Sequence, residues 1–276
     1  MTGDLERRRD EVEPPDGGST ELGELIGRLA GDDLDRETRG RLLRRLARLL
    51  GQSARRVGAA GVGRGRWLGE LMIEAAPHIP IRDLETLHAH HRGLMGEELA
   101  DRLVKVAGNA TTAVGAAGGA LAAVEFAAPP LLLTAPAQLA AETLVVAAIE
   151  VKLIAELHEV YGVRVQGTGT ARGAAFLTSW ARQRGINPLE AGSLTSALGT
   201  AAKSALRKRM LRVFGRSLTT MGPFLTGAAA GAALNRAATK ALAAKVRNDL
   251  RGSAGGPPPL PADHGRRGRR HLRSAD

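Results

Sequence analysis

Val106–Val124 reads VAGNATTAVGAAGGALAAV, nineteen residues without a charge, and the rest of the chain can be laid out from it. Glu125-Phe126-Ala127-Ala128-Pro129-Pro130 follows, and then a second apolar stretch from Leu131 to Ile149. A proline pair cannot continue a helix, so the two stretches read as long helices folded back on each other in a hairpin. A further nineteen uncharged residues, SLTTMGPFLTGAAAGAALN, run from Ser217 to Asn235. The first and last of these runs each hold a GxxxG spacing, Gly115 with Gly119 and Gly227 with Gly231. Such spacing lets two helix backbones touch, in lipid or in a tight bundle.

Composition supports the same architecture. Aromatic residues make up only 3% of the 276 positions, and Ala and Gly fill many apolar places, so helices must pack by close backbone approach. The expected fold is all-α: a helical bundle around the long apolar hairpin and a second Gly-spaced apolar helix, with disordered termini. The absence of cysteine excludes disulfides, thiol nucleophiles and Cys-ligated metal centres, and fits a reducing compartment. Met1–Pro15 is polar and mixed in charge, so no signal peptide is expected there.

The net charge of +11 is unevenly placed. Residues 1–100 carry 16 basic and 18 acidic side chains, 101–170 carry 4 and 6, and 171–276 carry 19 and 4, an excess of +15 in the last segment. A basic region of this kind attracts anionic surfaces, either phospholipid headgroups or nucleic acid.

Four regions are expected along the chain: a disordered start (1–18), an Arg-rich helical region (19–95), a helical domain (96–251) and a disordered basic tail (252–276). In the second region, Ser19 or Thr20 is expected to cap a helix with Leu22, Leu25, Ile26 and Leu29 on one face, ended by Gly31. Another helix is predicted over 35–50, with Leu42, Leu43, Leu46, Leu49 and Leu50 against arginines 36, 39, 41, 44, 45 and 48, read as a solvated face. Gly58–Gly65 reads as a break, and Gly63-Arg64-Gly65-Arg66 lacks the proline that would extend it into a minor-groove hook. Trp67–Ala76 is expected to be helical up to Pro77, and Asp83 to cap the next helix. His88, His90 and His91 supply only one i, i+3 pair on a helix, which favours surface histidines over a metal site.

Within the third region, Glu97 and Glu98 favour the first turn of the helix that carries the opening stretch to about Phe126. At 1.5 Å per residue it would be about 45 Å long, enough to cross a bilayer core of about 30 Å. The return helix is expected to start after a Thr134 cap, with Pro136 in its first turn, and to end at Val160 or Tyr161 with Gly162 as left-handed cap. Its second half, EVKLIAELHEVYG, reads as amphipathic, with Lys152 and Glu156 paired at i, i+4. A helix over 171–184 follows, then one starting near Pro188 or Leu189 whose end is basic, and then the helix of the third uncharged run, which fades at Gly252.

Catalytic readings are weak, and the chain is expected not to be an enzyme. No G-x-S-x-G elbow occurs, and His158-Glu159 lacks the second histidine of H-E-x-x-H. Glu142, Glu150, Glu156 and Glu159 share one helix, where surface or interhelical pairing explains them. Gly167-Thr168-Gly169-Thr170-Ala171-Arg172-Gly173 misses the dinucleotide fingerprint, because the third glycine comes one residue late without a βαβ context. No cofactor or metal is expected.

Gln138–Gly162, QLAAETLVVAAIEVKLIAELHEVYG, together with Met221-Gly222-Pro223-Phe224 and the spacing Pro223, Gly227, Gly231, Asn235, with Thr239, resembles the EcsC-type family of bacterial proteins. The resemblance covers roughly residues 97–250. It implies a helical, membrane-associated protein without established catalytic residues. The Ala-, Gly- and Arg-rich usage resembles that of a high-GC actinobacterial source. The sequence thus points to a non-enzymatic protein at the cytoplasmic face of the cytoplasmic membrane, peripheral or partly inserted, with a membrane protein as a further partner. Helix packing would run through Gly115, Gly119, Gly227 and Gly231, and headgroup contact through Arg207, Lys208, Arg209, Arg212 and Arg216, each contributing about 1 kcal/mol near an anionic surface. The alternative is a soluble Ala/Gly-rich bundle that binds nucleic acid or protein through its basic C-terminal third. Seven aromatics in the chain offer little base stacking, which makes nucleic acid the lesser reading.

Overall fold

A computed structural model describes residues 17–63, 66–127, 135–163, 165, 169–183 and 223–254. The regular elements among them are helices: α1 (Gly17–Ala30), α2 (Arg36–Gly63), α3 (Arg66–Ala75), a single 3-10 turn (Ala76–His78), α4 (Leu84–His90), α5 (Gly96–Ala127), α6 (Ala135–Val160), α7 (Gly169–Gln183) and α8 (Pro223–Ala254). The protein is all-α, as its composition predicts.

Several boundaries follow from local chemistry. The Asp35 carboxylate accepts from the Thr38 amide at 2.9 Å and opens α2. Asp83 does the same for α4 through the Thr86 amide, at 2.8 Å. Pro77 ends α3 and sits in the first turn of the 3-10 segment, where its missing N–H costs nothing. At the end of α6, Gly162 has φ +67°. The amides of Gly162 and Val163 bond back to the carbonyls of Glu159 (3.2 Å) and His158 (3.0 Å), the paired pattern that closes a helix through a left-handed glycine.

Three boundaries differ from the sequence reading. α1 begins at Gly17, which puts Ser19 and Thr20 inside its first turn. α2 continues through the predicted break at Gly58 as far as Gly63. Glycine raises the cost of a helix by only about 1 kcal/mol per residue, which tertiary packing can offset. α8 continues past Gly252 to Ala254.

α6 is the axis of the bundle, and every other described helix packs against it. Every residue from Ala147 to Leu157 is buried, including Glu150, Lys152 and Glu156. The second half of α6 is therefore not amphipathic in its setting. The face that carries Lys152 and Glu156 is covered by the N-terminal region, where Asp32 and Arg82 stand against them, and Glu150 meets Trp180 and Thr239 on other helices.

α5 runs antiparallel to both α6 and α8. Its start meets the end of α6 where the Tyr161 hydroxyl donates to Glu97 at 2.9 Å, and its later part meets the start of α6 where Gln138 Nε2 donates to the Gly118 carbonyl at 3.0 Å. Against α8, the contacts pass from Arg251 on Glu97 (2.8 Å) through Arg236 on Asn109 (2.6 Å) to Asn235 on the Thr111 carbonyl (3.2 Å). The later part of α5 and the first parts of α6 and α8 thus share one end of the bundle. These are the parts drawn from the uncharged runs.

The core around this frame is aliphatic. Leu22, Leu25, Ile26 and Leu29 of α1 and Leu43, Leu46 and Leu50 of α2 are buried, as their spacing predicts. α1 lies so close to the 3-10 turn that a side chain is excluded at Gly27, which faces the His78 carbonyl, and Gly23 lies against the His78 ring.

Candidate functional site

The tightest helix contact lies at the uncharged end. A methyl group placed on Gly115 would stand 2.7 Å from the Gly231 carbonyl oxygen, and one on Gly231 would stand 2.8 Å from that of Gly115. Both obstacles are backbone, so glycine at each position sets the distance between α5 and α8. A second close approach joins α5 to α6 at Gly118, over which the Glu142 carboxylate lies directly. Gln138 donates to Glu142 Oε1 at 3.0 Å while also serving the Gly118 carbonyl. Gly118 is one residue from the glycine that the GxxxG spacing selects.

One layer further in, a buried polar chain ties four helices together. Trp180 of α7 donates its indole N–H to Glu150 Oε2 at 2.8 Å. The Thr239 hydroxyl of α8 lies 3.0 Å from Glu150 Oε1 and 3.1 Å from the Thr111 hydroxyl of α5. Glu150, Thr111 and Thr239 are fully buried. Water is excluded, so these partners are what make a carboxylate tolerable at the centre of the bundle.

A third group, on a different face of the same half of α6, is ionic. Lys152 Nζ lies 3.0 Å from Asp32 Oδ2 and 2.8 Å from Glu156 Oε1. Arg82 pairs with Asp32 and stands 3.7 Å from Glu156. Two acids and two bases make a neutral cluster that fastens the α1–α2 turn and the segment before α4 onto α6. Burial raises the Asp32 carboxyl, but Lys152 and Arg82 overcome that and hold it below its ordinary range. Burial dominates at Glu156, raising it despite Lys152. Arg39 belongs to the same junction. It is buried, and donates to the carbonyls of Leu29 (2.7 Å) and Gly31 (3.2 Å), thereby capping the end of α1.

At the far end from the glycine contact, Glu97 binds Arg251 through two hydrogen bonds of 2.8 Å, and also binds Arg247 and the Tyr161 hydroxyl. Arg251, Arg247 and Tyr161 together hold its carboxyl down at about 2. Arg247 also reaches Asp101 at 2.6 Å. Charges therefore clasp α5, α6 and α8 at this end, while small residues join them at the other.

On the surface, α2 presents a row of positive charge. Arg41, Arg44, Arg45, Arg48, Arg55 and Arg56 are all exposed. Arg39 is the exception within the predicted arginine face, because its position on the wheel turns it into the core. Arg45 pairs with Glu21 and Arg41 donates to the Thr38 hydroxyl at 3.1 Å.

Of the residues the sequence singles out, Gly115 and Gly231 are brought together. Gly119 and Gly227 lie on α5 and α8, and their surroundings fall outside the described residues, as do Arg207, Lys208, Arg209, Arg212 and Arg216. The three histidines of the α4 region diverge. His91 turns inward and is buried, His90 stands 3.9 Å from Asp33, and the rings of 90 and 91 meet edge to face. Among the described residues no group of His, Asp or Glu is placed to hold a metal ion, and no helix is long and apolar enough to cross a membrane. Among the α6 carboxylates, Glu150 ties α6 to α7 and α8 and Glu159 ties it to α7 through Arg172. No family model, curated protein or solved structure matches this chain.

Asp32 and Arg82 carried no expectation from the sequence, and Arg39, expected on a solvated face, is buried. A signal for the cluster was present: a Lys–Glu pair inside an otherwise apolar helix needs counter-charges wherever that helix is buried.

Proposed function

We propose that this chain is a non-enzymatic helical protein that associates with the cytoplasmic leaflet of the cytoplasmic membrane, peripherally or by partial insertion. The observation that carries the proposal is the meeting of α5, α6 and α8 at one end of the bundle through their uncharged segments, with only Glu125 and Glu142 as charges. Ala, Gly and Thr give each run little insertion energy alone. Three runs side by side offer a broader apolar end to the headgroup boundary, and the basic cluster 207–216 precedes the third of them in sequence. The resemblance of 138–162 and 221–239 to EcsC-type proteins points the same way, and a membrane protein is the partner such a location would offer.

Flotation with phosphatidylglycerol-containing vesicles tests this directly. The chain is expected to float with them and to be released in part by high salt. A chain that remains unbound at low salt, and that stays in the soluble fraction of cells, overturns the proposal. The +15 charge of residues 171–276 favours a second reading, a nucleic-acid contact. A salt-sensitive mobility shift that vanishes on deletion of 252–276, without vesicle binding, would select it.

A further inference from the structure

We propose that the exposed arginine face of α2 is itself a docking surface for an anionic phospholipid bilayer, an inference that rests on the membrane-associated reading above and assigns it a specific surface. At about 100° per residue, Arg41, Arg44, Arg45, Arg48, Arg55 and Arg56 fall within an arc of about 120°, centred near Gln52, and the row is about 22 Å long. The opposite side of α2 is fixed, since Leu43, Leu46 and Leu50 are buried beneath it and Arg39 caps α1. The arginines are thus held outward on one face by a helix that cannot rotate.

Within this row Arg44, Arg48 and Arg55 have no ion pair among the described residues, whereas Arg45 is engaged by Glu21. These three guanidinium groups repel one another and are relieved by an extended anionic surface. Phosphate is a natural counter-group, because the guanidinium fork matches its oxygens in pairs.

Position selects the bilayer as the occupant. α2 runs antiparallel to α6: its N-terminal end adjoins the junction where Asp32 meets Lys152, and Gly51 faces Ala137 near the start of α6, where a methyl group placed on the glycine would stand 3.6 Å from the Ala137 side chain. The row therefore leads from the charged half of the molecule towards the end where the uncharged segments meet. A bilayer touching that end comes within reach of Arg48 and Arg55. Nucleic acid fits less well, because Trp67, Tyr161, Phe176 and Trp180 are all buried and offer no stacking platform beside the row.

The test uses the full chain. Arg44→Gln, Arg48→Gln and Arg55→Gln are combined and compared with Arg102→Gln, Lys105→Gln and Arg182→Gln, an equal loss of charge at exposed positions on other helices. Co-sedimentation with mixed phosphatidylglycerol and phosphatidylcholine vesicles should show an affinity loss on the order of 100-fold for the first set. The second set should lose less than about threefold. A second readout uses the lack of native cysteine: a fluorophore on Gln52→Cys should shift on addition of these vesicles, and one on Ser253→Cys should not. If the unaltered chain binds and both sets lose affinity equally, or neither does, the α2 surface is rejected while membrane association stands. If the unaltered chain binds no vesicle, both fall. If it binds duplex DNA instead and the first set abolishes that, the occupant is nucleic acid and the inference is overturned.

Discussion

Lys152 shows how much depends on a single side chain in this bundle. Its ammonium is buried between Asp32 and Glu156, and without it Glu156 keeps only Arg82, at 3.7 Å, in a low-dielectric interior. Lys152→Ala should therefore cost about 3–5 kcal/mol in chemical denaturation. Lys152→Met combined with Glu156→Leu should recover most of that, because Asp32 keeps Arg82 and the interior gains apolar volume. A double variant as unstable as the single one would show that the ion pair contributes net stability. Glu97 makes a different prediction, in pH. Its carboxyl is held at about 2 against an ordinary 4.5, so the clasp is fully present above about pH 4.5 and is lost as pH falls towards 2. Thermal melts across that range should show a fall in Tm that Glu97→Gln makes shallower. The group is partly exposed, so solvent screening keeps the effect modest.

At the scale of elements, α5 and α8 are joined by two unlike devices. Small residues at Gly115 and Gly231 allow backbone contact at one end, and the carboxylate of Glu97 gathers two arginines at the other. Gly115→Ala or Gly231→Ala should drive the helices apart and destabilise by about 1–3 kcal/mol. Gly40 of α2 is also helical, but a methyl there meets nothing within 4 Å. Gly40→Ala should stabilise by about 0.5–1 kcal/mol through lost chain entropy. Measured together by urea denaturation, the three substitutions separate glycine as a packing device from glycine as a helix weakness. Opposite signs are expected, and a uniform sign would argue against the close approach.

For the whole molecule, the consequence of a buried α6 is a stability gradient. Amides of 147–157 have no exposed side chains over them, so their hydrogen exchange should follow global unfolding and be the slowest in the chain. The first turn of α1 and the last of α8 should exchange through local opening. Equal protection in α6 and at these ends would contradict a bundle organised about one axis.

The class of this fold is legible in the residues alone. Helix periodicity in α1 and α2, the Asp83 cap, the Pro77 stop and the Gly162 turn are local properties, written in spacing and in residue type. The hairpin follows from uncharged length and prolines, and GxxxG spacing points to Gly115 and Gly231 as surfaces for contact. Which charges are internal, by contrast, is settled by tertiary packing. Arg39 and Arg41 are two positions apart in the same arginine run, and one caps α1 from within while the other faces solvent. Lys152 and Glu156 read as a local i, i+4 pair on an amphipathic half-helix, and only the fold brings Asp32 and Arg82 to them from chain positions 120 and 70 residues distant from Lys152. Burial of a charge depends on which distant segment covers it, and that is a property of packing that no local spacing contains.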